Sequence, residues 1–176
     1  YQLAAEQGYP AAQFSLGVMY YEGNGVAQDY KKALHFFQLA AEKGYPDAQF
    51  NLGEMYYEGN GVAKDYKKAV HFFELAAEKG YPAAQYNLGV RYYKGEGVTQ
   101  DYQKSLHWHK LAAAQEYAAA QYQLGLAYIH GTGVSQDYNK AFHWLKLSAK
   151  QEFAPAQYNL GVRYYRGEGV TQDYQK

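Results

Sequence analysis

Apolar residues along the chain follow a helical spacing that begins again every 36 residues. In the first occurrence, Ala12, Leu16 and Tyr20 lie four residues apart, so they form one apolar seam on a helix predicted from residue 10 to residue 22. Gly17 follows Leu16 and weakens that helix, and its recurrence in every copy predicts that another helix approaches closely at this point.

A second helix is predicted from residue 30 to residue 43, after a turn rich in glycine. Gly23 ends the first helix and Gly25 permits a left-handed turn, while Asp29 is a suitable N-cap for the second helix. The predicted buried seam of this helix consists of Ala33, Phe36, Phe37 and Ala40.

The same pattern occurs five times with a single period. Leu-Gly recurs at residues 16–17, 52–53, 88–89, 124–125 and 160–161, always 36 residues apart. A fixed period without insertions gives each repeat the same neighbours, which is the condition for a regular solenoid. We therefore predict an all-α solenoid of helix-turn-helix repeats. Its predicted parts are the end of a second helix at 1–8, full repeats at 9–44, 45–80, 81–116 and 117–152, and a partial repeat at 153–176.

The consensus Ala-x-x-x-Leu-Gly-x-x-Tyr-x-x-Gly-x-Gly-Val-x-x-Asp-x-x-Lys-Ala-x-x-Trp/Phe-x-x-x-Ala-Ala-x-x-Gly resembles the Sel-1-like repeat, a relative of the tetratricopeptide repeat. The resemblance covers essentially all 176 residues. It implies a right-handed α/α superhelix and an adaptor that holds protein partners, often in bacterial envelope, secretion or signalling assemblies. Glu116 and Glu152 depart from the glycine at Gly44 and Gly80, so those helix ends are expected to need another residue to turn the chain.

Composition excludes several classes of protein. Lys and Arg together number 17, as do Asp and Glu, and this balance argues against a protein devoted to nucleic acid. The absence of Cys excludes disulfides, thiol nucleophiles and Cys-based zinc sites, but it is compatible with either cytoplasm or periplasm. No run of 18 apolar residues is available to span a membrane, and any signal peptide would lie upstream of this sequence.

The histidines and serines do not predict a metal, a cofactor or a catalytic site. One histidine per second helix forms a ladder whose rungs are too far apart to share an ion, so these side chains are expected to be solvated. The ladder comprises His35, His71, His107 and His143. The motifs Ser-x-x-Lys, Gly-x-Ser-x-Gly and His-Glu-x-x-His are all absent, which disfavours an enzyme.

One recurring set of residues predicts a binding surface. By resemblance to tetratricopeptide arrays, the first helices line the concave face and carry an amide ladder, whose side chains suit the capture of a peptide backbone. The amide ladder comprises Ser15, Asn51, Asn87, Gln123 and Asn159. A tyrosine ladder runs beside it and comprises Tyr21, Tyr57, Tyr93, Ile129 and Tyr165, whereas Phe14 and its equivalents are expected to pack between repeats. The alternative is that the amides solvate the groove and the aromatic residues pack.

Charge varies along the same predicted face. Residues 1–88 carry seven Lys or Arg against ten Asp or Glu, and residues 89–176 carry ten against seven. Arg91 and Arg163 belong to the basic half and are predicted to contact a partner, whose own charge pattern such a gradient would orient. Random variation of solvated charges is the alternative.

These residues favour a protein-protein interaction scaffold without a cofactor. The alternative from another class is a cell-wall-associated glycan-binding module or hydrolase. Segments 84–104 and 156–176 differ only at Lys94 and Arg166, which predicts a window from a longer array. In that window the last helix is expected to expose Leu160 and Tyr164 and to favour end-to-end association of copies.

Overall fold

A computed structural model describes residues 2–173, which form ten α-helices and no strand. The first helices of the repeats begin where the sequence predicts, and the second helix of the first full repeat ends at Glu42, with Lys43 as its C-cap. The helices are α1 Gln2–Glu6, α2 Pro10–Glu22, α3 Tyr30–Glu42, α4 Pro46–Glu58, α5 Tyr66–Glu78, α6 Pro82–Lys94, α7 Tyr102–Ala114, α8 Ala118–His130, α9 Tyr138–Lys150 and α10 Ala154–Arg166.

The chain divides into two compact units. The first unit runs to Ala84 and includes Gly95–Thr99, and the second contains Gln85–Lys94 and continues from Gln100. In the first unit α2 packs on α3, α3 on α4 and α4 on α5. In the second unit α8 packs on both α7 and α9, and α9 packs on α10. Each unit therefore has the packing of successive helix-turn-helix repeats, as predicted.

Aspartate side chains cap the second helices. Oδ1 of Asp29 accepts hydrogen bonds from the backbone N–H groups of Lys31 and Lys32, each at 3.0 Å. Asp65 and Asp101 cap α5 and α7 in the same way. These contacts satisfy donors that would otherwise be unpaired in the first turn, and they confirm the predicted N-cap.

The residues that follow the helices adopt the left-handed backbone conformation. Gly23 follows α2 with a φ of 78°, as predicted. Gly44 follows α3 with a φ of 79°, and at the equivalent places Glu116 and Glu152 have φ of 61° and 60°. The expectation that another residue turns the chain there is wrong, because each glutamate adopts the left-handed conformation itself. That conformation costs a residue with a side chain roughly 1 kcal/mol or more.

Glycines of the first helices lie against large side chains of the second helices. The Phe37 ring is 1% exposed and lies so close to Gly17 that an added Cβ would be 2.5 Å from the ring. Gly53 and Phe73 repeat this contact with the same distance. The predicted close approach of the two helices is therefore confirmed, and it depends on the missing side chain of glycine.

The two predicted seams form the core of each repeat. Tyr20 and Phe36 are half-buried at its edge, where their rings stack at a centroid distance of 5.8 Å. The buried members of the first full repeat are Ala12, Leu16, Ala33, Phe37 and Ala40.

Leu160 and Tyr164 of α10 are half-buried, which differs from the expected exposure. Leu160 packs against the cluster that contains Leu145 and Ala156. The Tyr164 ring makes an edge contact with Phe142, with centroids 5.3 Å apart. Packing against α9 thus covers part of this apolar face.

Candidate functional site

The amide ladder lies half-buried on α2, α4, α6, α8 and α10, so its side chains are partly accessible to solvent. Nδ2 of Asn159 donates to the hydroxyl of Tyr122 at 3.2 Å and to the backbone carbonyl of Pro155 at 3.0 Å. Ser15, in the same register, donates to the carbonyl of Ala11. The hydroxyl of Ser15 and the amide of Asn159 are thus held at the two ends of the ladder, whereas the Gln123 side chain lines a cavity.

The tyrosine ladder is unevenly exposed. Tyr93 and Tyr165 are 49% and 64% exposed, whereas Tyr57 is half-buried and lies 5.3 Å from the Tyr66 ring. Ile129 is buried. Exposed aromatic side chains of this kind offer a partner apolar area at a small cost in side-chain entropy.

At the register of Phe14, four aromatic residues pack within the fold, whereas Tyr158 is 74% exposed and does not follow the prediction. The Phe14 ring lies 5.7 Å from Phe37 and 5.2 Å from Tyr45, and Phe50 repeats the arrangement with Phe73 and Tyr81. The predicted packing role is confirmed for these four residues.

Arg91 and Arg163 are buried, which contradicts their predicted position on an accessible face. Their exposed fractions are 4% and 6%. Arg163 pairs with Glu168, and its guanidinium lies 5.8 Å from the centroid of the Tyr138 ring. The reason is the register: residues 91 and 163 occupy the interior position that Met19 and Met55 occupy in the first unit, and not the solvated face of the helix.

The histidine ladder is exposed, as predicted. Each of its rings lies beside the aromatic ring that follows it, for example His35 beside Phe36 at 5.4 Å. Among residues 2–173, no group of three or more His, Asp or Glu side chains could hold a metal ion. Within the same range, no helix has both the length and the apolar character needed to cross a bilayer.

A cavity of about 270 Å³ lies in the second unit, among α6, α7, α8 and the turn after α8. Its rim includes the exposed residues Tyr93, Tyr102 and His130, and its floor includes the buried residues Ser105 and His109. We call it the His109 cavity. Because Tyr93 and Gln123 both line it, this cavity brings together one member of the tyrosine ladder and one member of the amide ladder.

His109 is a buried polar residue that the sequence analysis did not identify as functional. It is 4% exposed, and its ring donates a hydrogen bond to the backbone carbonyl of Tyr86. Burial lowers the pKa of His109 from 6.5 to about 4, which the bond to Tyr86 opposes. Nε2 is buried and has no hydrogen-bond partner within the described part of the chain. His109 is therefore neutral above pH 5, with Nδ1 protonated and Nε2 able only to accept.

The sequence did contain a signal for His109. Its register is apolar in the other repeats, where Phe37, Phe73 and Leu145 occupy it. A histidine at a core position of a repeat is an exception that a comparison among the repeats would have identified.

Two acidic residues lie close together on α4 in the first unit. Burial raises the pKa of Glu54, and the carboxylate of Glu58 raises it further. Burial also raises the pKa of Tyr21, against a hydrogen bond from Asn60 to its hydroxyl at 3.1 Å. This acidic region belongs to the half of the sequence that carries the negative charge.

Comparisons with known proteins agree on one family. The Sel1 repeat model matches residues 1–9, 10–45, 46–81, 82–117, 118–153 and 154–176. None of the comparisons supports the alternative of a cell-wall-associated glycan-binding module or hydrolase. No curated protein matches the chain.

Solved structures similar to the chain include the following three. A protective antigen of uropathogenic Escherichia coli with an SLR fold is 44% identical over 97% of this chain and 37% of its own, with a TM-score of 0.95. A Sel1 repeat protein from Oxalobacter formigenes is 40% identical over 94% of this chain and 68% of its own, with a TM-score of 0.90. An immunity protein from Pseudomonas aeruginosa is 28% identical over 94% of this chain and 61% of its own, with a TM-score of 0.62. The chain thus spans little more than a third of the length of the Escherichia coli antigen.

Proposed function

Because the chain belongs to the Sel1 repeat family, whose members are generally protein-protein interaction scaffolds, we propose that it binds an extended segment of a partner protein. Within a compact unit, the segment lies along the first helices of the repeats, where the amide and tyrosine ladders are found. The observation that carries the proposal is the meeting of the two ladders at the rim of one cavity, through Tyr93 and Gln123.

The chemistry of the two ladders suits a peptide. A carboxamide offers two N–H donors and a carbonyl acceptor, which match the alternating groups of an extended backbone. A tyrosine offers a rigid apolar ring and a hydroxyl. The proposed binding residues are Asn51, Asn87, Gln123 and Asn159 of the amide ladder, and Tyr57, Tyr93 and Tyr165 of the tyrosine ladder. Arg91 and Arg163 are not among them because both are buried.

The proposal is tested with a random peptide library displayed on phage and selected on the full chain. Affinities of enriched peptides are then measured by fluorescence anisotropy against the chain and against the double variant Tyr93→Ser, Tyr165→Ser. The Tyr93 and Tyr165 side chains are 49% and 64% exposed, and the fold should therefore tolerate the change. Loss of two aromatic contacts should weaken binding by roughly tenfold or more, which corresponds to about 1.4 kcal/mol.

The matched control is Leu111→Ser on α7, because Leu111 is an apolar side chain of the same unit that is 38% exposed on a second helix. Its peptide affinities should equal those of the unchanged chain. The proposal fails if no peptide is enriched above a non-binding control protein, or if the tyrosine variant binds as tightly as the Leu111 variant.

A further inference from the structure

In the first unit, a methionine fills the place that corresponds to the His109 cavity. Met55 stands two repeats before Ala127 in the same register, and it is 0% exposed. The core cluster of Met55 and the residues packed against it include Tyr21, Tyr30, Ala33, Leu34 and Phe37. By register, these five correspond to residues that line the cavity, namely Tyr93, Tyr102, Ser105, Leu106 and His109. The first unit therefore shows which side chain this arrangement of helices holds when it is filled.

Arg163 fills the corresponding place in the last repeat. Its side chain is 7% exposed and pairs with the carboxylate of Glu168. Its guanidinium lies over the Tyr138 ring at 5.8 Å, and Tyr138 stands in the register of Tyr102. Methionine and arginine share a long unbranched stem, which is the shape that this place accepts in both units.

The His109 cavity lacks such a stem. Ala127 stands in the register of Met55 and Arg163, and Thr132 stands in the register of Glu168. Both shorter side chains line the cavity. Ala127 is half-buried where Met55 is fully buried, so solvent reaches the point from which the missing side chain would extend.

The mouth of the cavity is open where the first unit is closed. Nδ2 of Asn60, in the turn after α4, donates to the hydroxyl of Tyr21 at 3.1 Å, and this bond lies across the place that Met55 fills. Thr132 replaces Asn60 with a shorter side chain, and Tyr93 is 49% exposed where Tyr21 is half-buried. A side chain from outside the chain can therefore enter between the turn after α8 and the Tyr93 ring.

Charge distinguishes methionine from arginine as the occupant. Glu168 accompanies Arg163, whereas the neutral Asn60 accompanies Met55, and Thr132 is neutral as well. None of the described residues that line the cavity is Asp, Glu, Lys or Arg. A buried cation without a carboxylate is unfavourable, so a neutral stem fits this cavity better.

The size and lining of the cavity suit a thioether. Cavities of roughly 150 Å³ hold a benzene ring, so a volume of about 270 Å³ accepts one unbranched side chain. The Tyr93 and Tyr102 rings lie 5.4 Å apart at the rim. Sulfur makes favourable contacts with aromatic rings, and the flexible methionine side chain adapts to irregular spaces.

We infer that the His109 cavity binds one methionine side chain of the partner segment, in the place that Met55 fills in the first unit. The inference rests on the proposed function, since Gln123 and Tyr93 place the mouth of the cavity on the proposed peptide-binding surface. The repeat thus takes from its partner the apolar side chain that two other repeats supply through Met19 and Met55. A single apolar anchor in a cavity, with polar contacts around it, is a common arrangement at binding surfaces.

The first test uses small probes on the full chain, so it does not depend on a partner being found. The N-acetyl methylamides of methionine, alanine, arginine and phenylalanine are titrated and followed by NMR at the backbone amides of Leu106 and Ala127. The methionine probe should bind roughly tenfold or more tightly than the alanine probe, because its side chain is removed from water. It should also bind more tightly than the arginine and phenylalanine probes.

Two methionine substitutions locate the bound probe. Ala127→Met introduces the residue of Met55 at its own register, so it should fill the cavity from within and weaken binding of the methionine probe at least tenfold. Ala119→Met, on α8 but outside the cavity lining, is the matched control and should bind like the unchanged chain. Circular dichroism of both variants checks that the helices are retained.

A charge substitution tests the choice between methionine and arginine. Thr132→Glu introduces the carboxylate that Glu168 provides in the last repeat, while Ala127 leaves the space for the stem free. The order of the probes should then reverse, with the arginine probe bound more tightly than the methionine probe.

The outcomes separate the cavity from the wider proposal. The inference is overturned if the methionine probe binds no better than the alanine or phenylalanine probe, if Ala127→Met binds it unchanged, or if Thr132→Glu leaves the order of the probes unaltered. It is also overturned if peptides selected on the chain lack methionine or bind Ala127→Met as tightly as Ala119→Met, and that result would leave the scaffold function standing. An empty peptide selection would contradict the scaffold function and its partner side chain, and a bound methionine probe would then retain the cavity as a site for a free thioether.

Discussion

Gly53 is the position where adding a single methyl group should disturb the fold most clearly. On α4 it faces the Phe73 ring, which is 1% exposed, and a Cβ built on Gly53 would lie 2.5 Å from two ring atoms. The ring cannot move away freely, because it also contacts Phe50 at a centroid distance of 5.8 Å. Gly53→Ala must therefore push α4 and α5 apart or force Phe73 out of its rotamer.

Two opposing effects determine the magnitude. Alanine favours the helical conformation over glycine by about 1 kcal/mol, which by itself would stabilise α4. Overpacking of a well-filled core costs typically 1–3 kcal/mol, and a separation of 2.5 Å is far inside van der Waals contact. We expect overpacking to dominate and Gly53→Ala to lower the free energy of unfolding by up to about 2 kcal/mol.

Gly161 on α10 supplies the control within the same chain. It occupies the same register, but a Cβ built there would meet no atom within 4 Å. Only the helix propensity changes, so Gly161→Ala should raise the free energy of unfolding by up to about 1 kcal/mol.

Urea unfolding of both variants, followed by circular dichroism at 222 nm, gives the two free energies. Opposite signs for the same substitution at equivalent positions are the result we expect. The reasoning would be refuted by a Gly53→Ala variant as stable as Gly161→Ala. That result would show that the small residue is not required by the approach of α5.

Two further predictions concern single side chains. Because the pKa of His109 is lowered to about 4, its contribution to stability is complete above pH 6.5 and is lost as the pH falls towards 4. Between pH 7.5 and 4 the unchanged chain should lose about 3 kcal/mol more than His109→Phe, measured by urea unfolding at each pH; parallel pH profiles would contradict this. Glu152→Gly relieves a left-handed glutamate with a φ of 60° and should raise the melting temperature, whereas Gly80→Glu, with a φ of 83°, should lower it.

The sequence predicted the helices well because every repeat carries the same capping, terminating and closely packed residues. Local residue preferences account for the cap at Asp29, the helix end at Gly23 and the close approach at Gly17. Because the pattern recurs in five copies, the assignment is less ambiguous than it would be from a single copy. The glutamate helix ends were harder, because a left-handed Glu116 is costly and only the surrounding fold maintains it.

The candidate site was less predictable, because it depends on contacts between elements. Arg163 was assigned to the accessible face from helical spacing, yet the turn after α10 folds over it and supplies Glu168. The spacing of residues within one helix carries no information on which turn covers it. The His109 cavity likewise arises from three helices and a turn together, and no single helix indicates it.

The interior position that Arg163 occupies has a consequence for how such a chain changes. The residue at this register and the residue five positions later form a pair in each copy: Met with Asn at 19 and 24 and at 55 and 60, Arg with Glu at 91 and 96 and at 163 and 168, and Ala with Thr at 127 and 132. The five copies thus serve as an internal alignment, in which the two positions vary together and never separately. Substitution of Arg163 alone would leave the carboxylate of Glu168 without its partner. Paired substitution of both residues is therefore favoured during evolution. A cavity can therefore arise in any one repeat when both residues of this pair are replaced by smaller ones, while the capping aspartates and the glycines that define the repeat are unchanged.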